Sequence, residues 1–252
     1  MRILKAIAVA LSVTVAGPAF GAAGPAPPSG NFSFQGMFGT FDRAALQRGF
    51  QVYKEVCAAC HSMRLLSYRN LLDIGLSEEQ VQAIAAEFMV VDGPNDEGDM
   101  FERPARLSDR FRPAFPNAQA ARLANNGAYP VDLSLITRAR EHGADYVYAM
   151  LTGYGDPPAG IELMPGMHWN NYFGGYQIAM PNVLFDDALE FADGTRATAA
   201  QMARDVTTFL AWAGEPHMED RRQMGVKVLL FLAILGGLVY ATKRRIWADV
   251  KH

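Results

Sequence analysis

Cysteine is nearly absent from this chain, with two residues in 252. They stand three positions apart, at 57 and 60, so a disulfide between them would close too small a loop to constrain the unfolded chain. Two thiols also cannot complete a four-ligand zinc site unaided. Net charge is small as well, at −3, which excludes a general nucleic-acid binder. No internal repeat recurs at a fixed period. Positive charge is missing locally: residues 70–102 carry nine Asp or Glu and no Lys or Arg.

What is present begins at the termini. Arg2 and Lys5 precede a short apolar run, Ala6 to Ala16; Gly17-Pro18 breaks it, and AFG at 19–21 offers a small-x-small cleavage pattern. Residues 1–21 therefore read as a secretory signal peptide. The following stretch GAAGPAPPSG has nothing to bury, so 22–41 is expected to be a loose linker. Near the other end, GVKVLLFLAILGGLVYA (Gly225 to Ala241) carries one charge, Lys227. That length is close to the minimum of about 17 residues for crossing a hydrocarbon core. Tyr240 and Trp247 suit a headgroup layer, and KRR at 243–245 with Lys251 directs the tail to the cytoplasm. The expected division is a globular domain over 42–219, an anchor helix over 220–246 and a cytoplasmic tail over 247–252. The expected location is a bacterial inner membrane, crossed once, with the domain on the periplasmic side.

Both cysteines lie in EVCAACHSM, residues 55–63, with His61 directly behind them. Zinc would need further ligands, and His142 or His168 supplies no H-x₃₋₅-H spacing. A redox dithiol belongs at a helix N-terminus after a strand, where the dipole lowers the thiol pKa. Here FDRAALQRGFQVYKEVCAAC places Asp42 as an N-cap, with Ala45, Leu46, Phe50 and Val52 or Tyr53 at helical spacing. The thiols fall at the wrong end of that helix. C-x-x-C-H then reads as a c-type haem attachment site. One turn aims Cys57 and Cys60 at two porphyrin vinyl groups, and His61 approaches the iron as proximal ligand.

A Met thioether opposite the histidine would close the iron to small molecules and raise its potential. Met89, Met150 and Met202 fall at apolar helical positions and read as core filler. Met164, Met167 and Met180 lie in the Gly/Pro-rich stretch 153–182. Met180 precedes Pro181 in an extended pre-proline position, but Met164 also precedes a proline. His168 and His217 are alternatives, and the residues alone leave the choice open.

Five blocks in order, RGFQVYKEVCAACHSM, DGPNDEGDMFERPARLSD, RLANNGAYPVDLSLITRAR, DYVYAMLTGYGDPP and EFADGTRATAAQMARDVTTFLAWAGEP, followed by the anchor RRQMGVKVLLFLAILGGLVYATKRRIW, resemble the cytochrome c1 family. Those proteins are the haem-bearing subunits of the cytochrome bc1 complex. The resemblance implies a mostly α, cytochrome c-like haem domain with insertions and one C-terminal transmembrane helix. It implies one haem c on Cys57 and Cys60, with His61 and Met180 as iron ligands. It places Arg140 and Tyr146 near a haem propionate, with Asn125 and Pro130 lining the pocket; Arg138 could serve in place of Arg140. The extra cysteine pair of some bacterial members is missing here.

The implied role is electron transfer without catalytic residues of its own. The partners would be cytochrome b and a Rieske iron–sulfur subunit, with a soluble or anchored cytochrome c as acceptor. A free-standing membrane-anchored carrier and an exported thiol–disulfide oxidoreductase are the rivals. The acidic stretch, notably Asp92, Asp96, Glu97 and Asp99, would serve as a docking face for a basic carrier. Two helix starts are expected at Ser77-x-x-Gln80 and Thr198-x-x-Gln201, with Gly214 as a C′ glycine.

Overall fold

The computed structural model describes residues 24–249, so the signal segment 1–21 and the last residues of the tail lie outside it. Helix α1 (Arg43–Glu55) opens where Asp42 accepts hydrogen bonds from the amides of Ala44 and Ala45, and it buries Ala45, Leu46, Phe50, Val52 and Tyr53. That face packs on α6 (Ala199–Gly214), the central helix of the domain. Gly49 permits the close crossing, since a Cβ there would collide with the Asp205 carbonyl and stand 2.8 Å from Phe209 Cβ. Beside it Arg48 spans Asp205 at 2.7 Å and Asp193 at 2.6 Å. Asp205 is only 1% exposed, and the Arg48 guanidinium is its buried ion-pair partner.

Helix α2 (Glu78–Ala86) starts with the expected reciprocal capping between Ser77 and Gln80. Strands β1 (Met89–Asp92) and β2 (Phe101–Pro104) form an antiparallel hairpin with Asp92 opposite Phe101. Three helices follow: α3 (Ala118–Ala124), α4 (Ile136–Ala139) and α5 (Gly143–Thr152). Both α4 and α5 pack against α6. A two-residue ladder joins β3 (His168–Trp169) to β4 (Gln177–Ile178). Helix α7 (Met218–Ile246) is the last helix of the described residues. The protein is mostly helical, and α7 is long and apolar enough to cross a membrane, with none of its apolar window buried. Its 29 residues span about 44 Å at 1.5 Å per residue.

The structure revises several local expectations. Met89 lies in β1 and not in a helix. Thr198 caps the Gln201 amide, but the Gln201 side chain turns to Asp205 instead of back to the cap. Gly214 is the last residue of α6, not a residue beyond it. A Cβ at 214 would sit 3.1 Å from Thr137 Oγ1 and 3.2 Å from Arg138 Cγ, so close approach of α4 explains the glycine. Arg138 lies within the four-residue α4, whereas Arg140 just beyond it is extended. The expected loose linker is docked from Gly30 onward. The Gly30 amide donates to Asp145 at 2.8 Å, and Phe32, Phe34 and Phe41 are buried.

Candidate functional site at the end of helix α1

Past Glu55 the chain tightens into a 3₁₀ turn, Cys57–Ala59. The Cys57 carbonyl accepts from the amides of Cys60 (3.1 Å) and His61 (2.8 Å), which gathers both thiols and the imidazole on one turn. Burial, reinforced by the neighbouring Cys60, pushes the Cys57 thiol up to about 12. It is thus protonated at neutral pH, the opposite of what a dithiol nucleophile needs.

His61 Nδ1 lies 2.7 Å from the Val131 carbonyl oxygen. A carbonyl can only accept, so the proton is assigned to Nδ1 and the Nε2 lone pair is left bare. Burial holds the imidazole below its ordinary pKa, which keeps that lone pair available at pH 7. The donor set and tautomer suit an iron ligand, and the carbonyl is the usual kind of orienting partner.

Residues 131–134 are strapped across the turn. Leu133 donates to Ser62 O at 2.8 Å, while Asp132 receives the Arg64 amide at 3.0 Å and Ser134 Oγ the Leu65 amide at 3.1 Å. Ser62 Oγ in turn accepts from Ala114 at 3.0 Å, adding a third segment. Pro130 is half-buried and the Val131 side chain stays exposed beside the ring it orients. Asn125 caps α3, donating to Ala121 O at 2.7 Å, and its hydrogen bonds stay within residues 121–128.

Met180, Tyr146 and Arg140 are linked by a different route. Met180 is half-buried just after β4, and its carbonyl accepts from the Tyr154 hydroxyl at 2.9 Å. Burial, with a lesser contribution from Tyr146, raises the Tyr154 phenol to about 12. Burial also raises Tyr146, against the opposing influence of Arg140. Arg138 is committed to Glu215 at 3.1 Å. Arg140 has no ion-pair partner among the described residues.

The segment bearing Met180 is held by a residue that sequence reasoning passed over. Asn170 is fully buried; its Nδ2 donates to Met150 O at 2.7 Å, and its Oδ1 accepts from the Tyr172 and Phe173 amides. Trp169 stacks on Tyr176 with 5.0 Å between ring centroids. Met164, the rival on sequence grounds, is 56% exposed. An asparagine in a Gly-rich stretch carries no single-sequence signal of such burial.

Two thiols and a tautomer-fixed imidazole thus share one turn of a mostly helical domain, the arrangement of a C-x-x-C-H cluster. The family model described as the Cytochrome C1 family matches residues 32–250. The mitochondrial heme protein "Cytochrome c1 1" of Arabidopsis thaliana is 55% identical over 218 residues, covering 86% of this chain and 70% of that protein. "Cytochrome c1, heme protein, mitochondrial" of Saccharomyces cerevisiae is 48% identical, covering 89% of this chain and 73% of its own length. "Cytochrome b/c1" of Bradyrhizobium diazoefficiens is 49% identical over 88% of this chain but only 36% of that longer protein. This chain belongs to the cytochrome c1 family.

Proposed function

We propose that the chain is the single-haem, membrane-anchored electron-transfer subunit of a quinol–cytochrome c oxidoreductase. Cys57 and Cys60 would carry haem c as thioethers, with His61 Nε2 and the Met180 thioether as the residues that would hold the iron. When bound, haem supplies a one-electron iron couple. The protein's part is to exclude water, fix the axial imidazole through Val131 O and set Arg140 with Tyr146 against propionate charge. The observation that carries this reading is the His61 ring, neutral and held by its Nδ1 proton one residue after the second thiol.

Electrons would arrive from an iron–sulfur subunit and leave to a soluble or anchored cytochrome c on the exported side. Assembly beside cytochrome b is favoured by the names of relatives. A Candida albicans protein 50% identical over 227 residues is called "Cytochrome b-c1 complex catalytic subunit, mitochondrial". Helix α7 would anchor the domain in a bacterial inner membrane, with KRR at 243–245 on the cytoplasmic side.

The test is acid–acetone extraction of wild type and a Cys57→Ser, Cys60→Ser variant. Haem should stay with the wild-type polypeptide and leave the variant, which should show no c-type absorbance. Covalent haem in the variant would overturn the assignment. Purification from mild detergent then separates complex subunit from free-standing carrier, since only the former brings a b-type cytochrome with it.

A further inference from the structure

Between Ser33 and Thr40 the chain forms a stapled loop against the first turns of α7. The Thr40 amide donates to Ser33 O at 3.1 Å, and the Ser33 hydroxyl donates to Thr40 O at 2.9 Å, closing the neck. Arg222 donates to the carbonyls of Phe34 and Gly39, at 2.8 Å each. Glu219 takes the Phe41 amide at 2.6 Å and Arg43 at 2.7 Å. The rings of Phe32, Phe34 and Phe41 are buried in succession, with centroids 5.1 and 5.0 Å apart. The tip does the reverse. In the turn Gly36–Gly39 the two central residues, Met37 and Phe38, are 72% and 80% exposed.

A loop fixed by so many hydrogen bonds cannot fold its tip away. Leaving apolar side chains of this size in water forgoes the free energy that their burial would gain. The staple also sets their level. Arg222 precedes Gly225, where the apolar run begins, by three residues, or roughly 4.5 Å along a helix. The stapled carbonyls are thus within a headgroup layer of the start of the span. Two side chains fall far short of the roughly 800 Å² per partner that a stable protein interface buries. They are enough for contact with the headgroup–acyl boundary.

We infer that the turn Gly36–Gly39 is a second membrane contact: Met37 and Phe38 enter the lipid boundary beside α7, and the two attachments together hold the haem domain at one tilt. The inference rests on reading α7 as the membrane span.

The test uses the full-length, haem-loaded chain in phosphatidylcholine–phosphatidylglycerol vesicles. Single nitroxides are placed by Met37→Cys, Phe38→Cys, Ala233→Cys within α7, and Glu79→Cys on the exposed surface. The native thiols are consumed by thioethers, so unsubstituted chain should take no label, and each variant must keep the wild-type haem spectrum. Collision of the label with oxygen is compared with that of a water-soluble nickel chelate. Positions 37 and 38 should show a several-fold higher oxygen-to-nickel ratio than position 79, approaching but below position 233. Water-like ratios at 37 and 38 with a lipid-like ratio at 233 would overturn the second contact alone. Shielding of 37 and 38 from both reagents would mean protein covers them and would overturn it too. A water-like ratio at 233 would remove the span, and the inference with it.

Discussion

The Val131 carbonyl accepts the Nδ1 hydrogen of His61 from 70 residues away in sequence, at 2.7 Å. The orientation of the His61 ring thus depends on backbone supplied by the strap 131–134, so the side chain at 131 is free to vary while the strap's position is not. Asp132 and Ser134 keep that position by receiving the Arg64 and Leu65 amides.

The distal assignment has a direct consequence. Met180→Leu should keep covalent haem but lower the midpoint potential by on the order of 0.1–0.2 V, within the roughly 0.8 V that axial ligation spans. Met164→Leu, at an exposed position, should leave it unchanged. Redox titration of both variants decides; the reverse pattern would move the ligand to Met164.

Gly49→Ala should destabilise the domain by about 1–3 kcal/mol, because the new Cβ meets the Asp205 carbonyl and Phe209. Gly225→Ala, with nothing within 4 Å, should be neutral or slightly stabilising. Urea midpoints of haem-loaded variants measure both. Equal midpoints would show that α1 and α6 do not cross where Gly49 puts them.

Acid should loosen the β1–β2 hairpin before the core. Arg103 clamps Asp92 and Asp109, and hydrogen bonding to that guanidinium holds both carboxyls below the usual carboxylate range. With folded pKa values below unfolded ones, the clamp contributes fully above the unfolded carboxylate pKa and fades as pH falls through the folded values. Amide exchange of residues 89–104, corrected for its intrinsic pH dependence, should lose protection in that window. Arg103→Gln should lose it already at neutral pH.

The same clamp narrows the electrostatic prediction. Asp92 is internally paired, which leaves Asp96, Glu97 and Asp99 to project a field toward a basic carrier. Neutralising these three to Asn or Gln should slow second-order reduction of that carrier at low ionic strength. The gap should close as salt shortens the Debye length to about 10 Å at 0.1 M. Stopped-flow rates across a salt series would reject the three as a docking face if the curves run parallel.

What could be read in advance was local. Asp42, the α1 spacing and the Ser77–Gln80 box each act within one helical turn, so the residues themselves announce the outcome. Features made by distant partners were not announced. Gly214 looked like a helix stop because α4, which crowds it, is remote in sequence. The segment before residue 42 looked loose because its Pro/Gly start outweighed the buried Phe32, Phe34 and Phe41. Arg103 lies one residue past the acidic stretch, and only the hairpin register folds it back over Asp92. The site divides the same way: Cys57, Cys60 and His61 form one contiguous turn, whereas Tyr154 and Asn170 act through loop backbone.

The Arg48–Asp205 pair joins residues 157 apart, and it has a consequence in time. Synthesis at about 5–20 residues per second separates the two by roughly 8–30 s. Throughout that interval α1 has no α6 to lie against, and the turn from Cys57 to His61 trails from an unclosed chain, approachable from every side.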